Sequence, residues 1–379
     1  MDHTKKKIII TGGHLTPAWI TAKELLKNGY SNLLWVGTKY TQKGDTSTSP
    51  EFQLVNELDI AFFHFKTGKL WRKWNKFTYK NAILDILLIP YGFGTALIKI
   101  IKEKPAMILS FGGYVSLPFV IFGKLLGKKI ITHEQVLSPG LSSKIVAKFA
   151  DKILISWPET EKFFNKSKTE LTGNPSWVMS QNRKTDTINF NTKLPIVTII
   201  GGNQGAKVVN ASVFAALPDL LQVANVIHQT GRSEVTGDKY KASEIKSELP
   251  ENLKERYVFF PYISDNIYEI MEKSDLIVTR GGANAMTDII AKSKKSIVIP
   301  IPWSSGEEQL KNAKYMKELG LAAIIQYEKD INPEQLLNLI KQELKREIPK
   351  TDERLKRLKN LIRYAPTKIF SQIELLLKA

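Results

Sequence analysis

Along the chain, short aliphatic runs alternate with longer stretches whose apolar positions recur at helical spacing, which is the rhythm of parallel βαβ units. In the first half, residues 7–11, 33–36, 107–110, 129–132 and 152–156 predict strands. A second series, 196–200, 226–230, 257–260, 276–279 and 296–300, follows a polar stretch at 181–193 that reads as an interdomain linker. The last segment, 352–379, places Leu355, Leu358, Ile362, Ile369, Ile373 and Leu376 at roughly helical intervals and predicts a helix. The expected class is α/β, with one parallel sheet in each half.

Two glycine turns punctuate this pattern. Thr11-Gly12-Gly13-His14 and Gly201-Gly202-Asn203-Gln204-Gly205-Ala206 each follow a predicted strand and open a helical stretch. Glycine lets the backbone turn sharply and approach a ligand, and the helix start beyond it offers free N–H groups to an anion. A dinucleotide site would add an acid where the second strand ends. Those ends read Val36-Gly37-Thr38 and His228-Gln229-Thr230, with no acid, so NAD is disfavoured; residues 201–208 do not fit a P-loop either. The turns alone leave ligand cradle and tight structural bend both open.

Composition narrows the chemistry. A length of 379 residues suits two domains, and the absence of cysteine excludes disulfides, thiolate metal sites and a cysteine nucleophile. Met1 to Lys7 is charged and the apolar run after it is short, so no signal peptide is expected and the chain reads as cytoplasmic. The apolar stretch at 82–101 contains Asp85, Pro90, Gly92, Gly94 and Lys99, which argues against a spanning helix. A formal net charge of +18 implies an anionic partner. Nucleic acid is disfavoured, because no recognition motif accompanies the charge. Between Lys66 and Lys80 the cations Lys69, Arg72, Lys73 and Lys76 interleave with Leu70, Trp71, Trp74, Phe77 and Tyr79. Tryptophan among lysines suits an anionic membrane surface, the alternative being a core helix with a solvated basic face.

Longer strings are more specific. Phe111-Gly112-Gly113-Tyr114-Val115, His133-Glu134-Gln135 with Pro139-Gly140-Leu141, Phe149-Ala150-Asp151 and Gly173-Asn174-Pro175 resemble the N-terminal domain of the MurG-type glycosyltransferases, glycosyltransferase family 28. Gly201 to Ala206, His228-Gln229-Thr230-Gly231, Arg280-Gly281-Gly282-Ala283 and Gln309 with Asn312-Ala313 continue the resemblance in the same order. It implies a GT-B fold, with two Rossmann-like domains facing a cleft: an acceptor- and membrane-binding domain at 1–180, a donor domain at 194–351, and a helix at 352–379 crossing back to the first.

The implied activity is inverting transfer of N-acetylglucosamine from its UDP donor to a polyprenyl-pyrophosphate-linked muramyl-pentapeptide, at the cytoplasmic face of the plasma membrane, in cell-wall synthesis. No metal or other cofactor is expected. His14 is the candidate base; capping the helix or binding the acceptor is its alternative. The donor-binding set is Gly12, Gly13, Asn203, Gln204, Gly205, Ile263, Arg280, Asp288, Glu308 and Gln309, although the turn ending in His14 is itself expected on the acceptor side. Gly112, Gly113, Tyr114, His133 and Glu134 form the acceptor-binding set, with loop orientation as the other reading of Glu134. His228 also reads as a core histidine. Leu70, Trp71, Lys73, Trp74 and Phe77 are the membrane contacts.

The chain departs from the family pattern at Asp288, where glutamate is usual, and at Glu308, where glutamine is usual. It also has Trp177 near a usual arginine, and Val136 where asparagine is common. Those departures keep open a transferase for another UDP-sugar or lipid acceptor, or a non-catalytic homologue.

Overall fold

The computed structural model describes residues 3–40, 48–69, 79–180, 188–202, 204–234, 236–263, 266–348 and 352–378. The chain divides into two compact units, Met1–Pro175 with Tyr364–Ala379, and Ser176–Arg363.

In the first unit the order is β1 (Ile8–Thr11), α1 (Leu15–Lys27), β2 (Leu33–Gly37), α2 (Pro50–Asn56), β3 (Ala61–His64), α3 (Tyr79–Glu103), β4 (Met107–Ser110), α4 (Gly113–Leu125), β5 (Lys129–Glu134), α5 (Leu141–Phe149), β6 (Lys152–Ile155) and β7 (Thr169–Leu171). The second holds α6 (Trp177–Ser180), β8 (Ile196–Ile200), α7 (Lys207–Leu220), β9 (Asn225–Gln229), α8 (Asp238–Glu248), α9 (Glu251–Lys254), β10 (Tyr257–Phe260), α10 (Ile267–Lys273), β11 (Leu276–Thr279), α11 (Ala283–Lys292), β12 (Lys295–Val298), α12 (Glu308–Glu318), β13 (Ala322–Ile324) and α13 (Pro333–Lys345). One helix, α14 (Glu353–Lys378), ends in the first unit.

Both sheets are parallel. Their orders are β3-β2-β1-β4-β5-β6-β7 and β10-β9-β8-β11-β12-β13. In each, the chain reverses direction across the sheet beside its first strand, so the crevice at the carboxyl ends falls between β1 and β4 in one unit and between β8 and β11 in the other. The ten predicted strands are all present, within a residue or two at their ends. The three strands that the pattern does not predict, β3, β7 and β13, are edge strands, where half-exposed positions break the apolar run.

Central strands are buried on both faces, which is why Ile8, Ile9 and Ile10 read as an unbroken aliphatic run. Around the first sheet, Ile9, Val36, Ile108, Phe119, Ile130 and Ile155 join one core with Ala96 and Ile100 of α3. Around the second, Val197, Ile199, Val213, Leu217, Val278 and Ile340 form another. Helix α3 runs unbroken through Asp85, Pro90, Gly92 and Gly94. From Ala82 to Glu103 it is long and apolar enough to cross a membrane, by length and composition only.

Glycine is required where loops touch. At Gly231, with φ of +102°, an added methyl would lie 2.3 Å from the backbone of Gly205. Gly231→Ala is therefore expected to destabilise the protein by roughly 2–4 kcal/mol, measured by denaturant unfolding; a change within about 0.5 kcal/mol would show that the loops can separate freely.

Candidate functional site

In the first unit the turns after β1 and β4 meet at the reversal point. A methyl at Gly13, with φ of +139°, would lie 2.3 Å from the carbonyl oxygen of Gly112, and Gly112 and Gly113 are themselves left-handed at φ of +78° and +75°. Only glycine allows this backbone approach. His14 follows as the residue before α1, and its side chain makes no capping hydrogen bond to the helix. The imidazole instead lies over the β4 turn: a methyl on Gly112 would be 3.4 Å from its Cδ2 and 3.6 Å from its Nε2. Burial lowers its pKa to about 4, so the ring is neutral near pH 7 and able to accept a proton.

His133, at the end of β5, is fully buried, with Nε2 3.0 Å from the Gly173 carbonyl. A carbonyl only accepts, so Nε2 carries the proton and Nδ1 keeps its lone pair. That Nδ1 is buried without a hydrogen-bond partner. Burial holds this pKa near 4; the Gly173 bond opposes the shift and the nearby His14 adds to it. Glu134 accepts the Val136 N–H at 3.1 Å through Oε1, the loop-orienting geometry. Tyr114 stands exposed on the first turn of α4, its hydroxyl pKa raised by partial burial, then by the charges of Asp85 and Glu51.

The strand-end reading missed an acid here. Glu51, in the first turn of α2, reaches back to the carboxyl end of β2 and accepts from Trp35 Nε1 at 2.9 Å and Thr38 N–H at 3.0 Å. Its Oε1 occupies the space where a side chain at Gly12 would begin, 2.0 Å from an ideal Cβ. Gly12, expected in the donor set, is thus glycine to admit this carboxylate.

In the second unit the turn after β8 bends through Gly202 and Gly205, both at φ of +86°, into α7, whose first residue Lys207 is exposed. Gln204 is exposed on the turn, and Asn203 lies outside the described residues. Gln229, at the end of β9, is buried and bonds to two loops at once. Its Nε2 donates to the Gly202 carbonyl at 2.9 Å, and its Oε1 accepts the Ile263 N–H at 3.0 Å. The Gly202 carbonyl also accepts from Gly205 N–H at 3.1 Å. Its oxygen is therefore occupied from within the protein, while the α7 N-terminus carries no side-chain cap.

Arg280 braces the same turn from the β11 side. Its guanidinium bonds to the Gly205 carbonyl at 3.1 Å and grips both oxygens of the buried Glu328 at 2.8 and 3.0 Å. Asp288 on α11 is also engaged, accepting from Ser176 Oγ at 2.6 Å and Val178 N–H at 3.3 Å. Burial nevertheless lifts its pKa to about 6, against these hydrogen bonds. The carboxylate so placed holds the segment that opens the second unit.

Glu308 starts α12, its pKa raised by burial, and Gln309 accepts the Ile301 N–H at 3.1 Å. His228 is the core histidine: both ring nitrogens are matched, Nδ1 3.1 Å from Tyr257 Oη and Nε2 3.0 Å from Asn210 Oδ1, with its pKa lowered to about 3 by burial. The expected membrane contacts Leu70, Trp71, Lys73, Trp74 and Phe77 lie outside the described residues. Among the described residues no group of three or more His, Asp or Glu converges as for a metal ion.

Residues 9–155 match the glycosyltransferase family 28 N-terminal domain, and residues 196–362 match its C-terminal domain. A Bacillus cereus protein, UDP-N-acetylglucosamine--N-acetylmuramyl-(pentapeptide) pyrophosphoryl-undecaprenol N-acetylglucosamine transferase 2, is 32% identical over 89% of this chain and 91% of its own length. The chain belongs to glycosyltransferase family 28. A Clostridium novyi transferase of the corresponding name is also 32% identical, over 89% of this family 28 chain and 90% of its own length. Among solved structures, Acinetobacter baumannii MurG superposes with a TM-score of 0.65 at 23% identity, covering 98% of the family 28 chain and 100% of its own. The S. aureus MnaA–UDP co-structure gives 0.63 at 13% identity, covering 98% and 97%. Those two likenesses show the two-sheet GT-B fold.

Removing the amide of Gln229 leaves the Ile263 N–H without its acceptor and loosens Gly202. Gln229→Leu is expected to weaken UDP binding about tenfold, a loss near 1.4 kcal/mol. Isothermal titration checks this, and an unchanged dissociation constant would count against the bracing role.

Proposed function

We propose that this family 28 glycosyltransferase transfers N-acetylglucosamine from UDP-N-acetylglucosamine to a polyprenyl-pyrophosphate-linked muramyl-pentapeptide. The observation that carries the reading is the near-full-length match to transferases of that name, spanning both units. The geometry supports a division of labour. In the second unit, the turn at Gly201 to Gly205 and the uncapped start of α7 suit the departing diphosphate, with Lys207 as the adjacent cation. Arg280 supports that turn from behind, with Nη1 on the Gly205 carbonyl and Nη2 on Glu328.

In the first unit His14 is the base. Inversion needs a group that removes the acceptor hydroxyl proton as the oxygen attacks the anomeric carbon, while the electron pair of the breaking bond leaves on the diphosphate. A neutral imidazole held over the β4 turn suits that task. Gly112, Gly113, Tyr114 and the unprotonated Nδ1 of His133 are proposed to meet the acceptor. The departures at Trp177, Asp288 and Glu308 favour testing other UDP-sugars alongside.

Product mass after incubation with a panel of UDP-sugars and the lipid-linked muramyl acceptor tests the reading. Addition of one N-acetylhexosamine from UDP-N-acetylglucosamine is expected, and no transfer from any UDP-sugar would overturn it. His14→Ala should lower kcat by on the order of 10²–10⁴-fold while UDP still binds. Because the folded pKa is depressed to about 4, the base stays deprotonated above that pH and is lost only below it. The profile of kcat/KM should therefore show no acid limb near 6.5.

Docking on an anionic membrane surface is also proposed. Helix α3 exposes Ile83, Leu84, Leu87, Tyr91, Ile98 and Ile101, with Lys80 and Lys102 at its ends. Vesicles containing anionic phospholipid should retain the protein, and a Leu84→Glu, Leu87→Glu double variant should be released; equal retention of both would exclude α3 as the contact.

A further inference from the structure

The carboxylate of Glu51 sits where a nucleotide-binding α/β unit would receive its ligand. In such units an acid at the end of the second strand holds a ribose above the first glycine of the turn. Here that space is filled from inside the chain. Glu51 Oε1 lies 2.0 Å from where a Gly12 Cβ would be, and its Cδ, Oε1 and Oε2 lie 2.5 to 2.7 Å from where a Gly37 Cβ would be. Two N–H groups, Trp35 Nε1 and Thr38 N, close on the two oxygens at 2.9 and 3.0 Å. Trp35 is itself fully buried in β2, so its indole N–H is fixed.

We infer that Glu51 is a positioning residue for the proton-accepting turn: its carboxylate, seated in a receptor made of Gly12, Gly37, Trp35 Nε1 and Thr38 N–H, fixes the turn that presents His14.

The inference rests on the assignment of His14 as base. Glu51 does not touch the imidazole. It fills the space above Gly12, the next residue, Gly13, lies against the Gly112 carbonyl, and His14 lies over Gly112 in turn. Fixing one side of this turn fixes the direction of the ring. The interaction is built to hold: α2 begins at Pro50 and is capped by the Ser49 hydroxyl, which accepts Phe52 N–H at 3.1 Å and donates to the Thr38 carbonyl at 2.5 Å. One serine therefore ties the start of α2 to the same loop that donates to Glu51. The arrangement also explains two glycines at once, because any side chain at position 12 or 37 would displace the carboxylate. The donor turn lies in the second unit with its own brace at Gln229.

Glu51→Ala should leave a carboxylate-sized cavity lined by two N–H donors and two glycines, which small carboxylates can enter. The test uses the full-length protein with UDP-N-acetylglucosamine and the lipid-linked acceptor. Expected results are a fall in kcat on the order of 10- to 100-fold, a KM for the UDP-sugar within about twofold of the parent, and partial recovery of kcat with millimolar formate but not with chloride at equal ionic strength. Glu51→Gln keeps the shape but sets an amide N–H against an N–H donor, so it should lose kcat without responding to formate.

An unchanged kcat in Glu51→Ala would overturn the inference. So would a loss that formate does not restore, or one in which the KM for the UDP-sugar rises as much as kcat falls, which marks a defect in donor binding. If the parent protein shows UDP binding but no transfer, the proposed function fails instead. Formate protection of the Glu51→Ala thermal midpoint, absent in the parent, then still tests the carboxylate receptor.

Discussion

The contact of Gly13 with Gly112 is the constraint on which the first unit's chemistry depends. Two loops leave neighbouring strands at the reversal point of the sheet, and they come together backbone to backbone because neither carries a Cβ there. The second unit repeats the device one strand over, where Gly205 meets Gly231 and the Thr230 carbonyl. Loops usually wander; loops that touch through glycine cannot. This is how a parallel sheet, which only offers strand ends, is made to hold an imidazole in one unit and a row of N–H groups in the other.

Each close approach is then supported by a polar side chain bonded from within the chain. Glu51 takes two N–H donors, Gln229 gives one bond and accepts another, and Arg280 is neutralised by Glu328. A buried ion pair of this kind contributes little net stability, but losing one partner strands the other's charge, so it fixes geometry more than it adds free energy. His228 follows the same logic without charge: Tyr257 and Asn210 satisfy it, and Asn210 passes the network to the Thr230 carbonyl and Asp238.

The strands beside the reversal points were legible because burial on both faces writes an unbroken aliphatic run, as at Ile8 to Ile10. Three of the four edge strands, β3, β7 and β13, escaped because exposure removes that run. The glycine turns, His14 and the motif containing Gln229 were equally legible as strings, but what they do was not. The rule sought an acid at the end of β2, and Glu51 arrives there from the following helix, fourteen residues past Gly37. Gln229 is conspicuous only once Gly202 and Ile263, distant in sequence, are seen to share it. Asp288 is legible as a carboxylate on a helix, yet its partner Ser176 lies 112 residues away.

Helix α14 carries a consequence for how the molecule is made. Its last turns supply Ile369 and Ile373, both wholly buried, while Phe370 meets Tyr30 edge to face at 5.9 Å and the Leu377 carbonyl receives Lys6 Nζ at 2.6 Å. The unit that begins the chain is therefore closed by residues translated after all of the second unit. Emerging in order from a ribosome, the second unit can complete its core first, and the first must wait with Lys6 and Tyr30 lacking their partners on α14, so the half that carries His14 is expected to mature last.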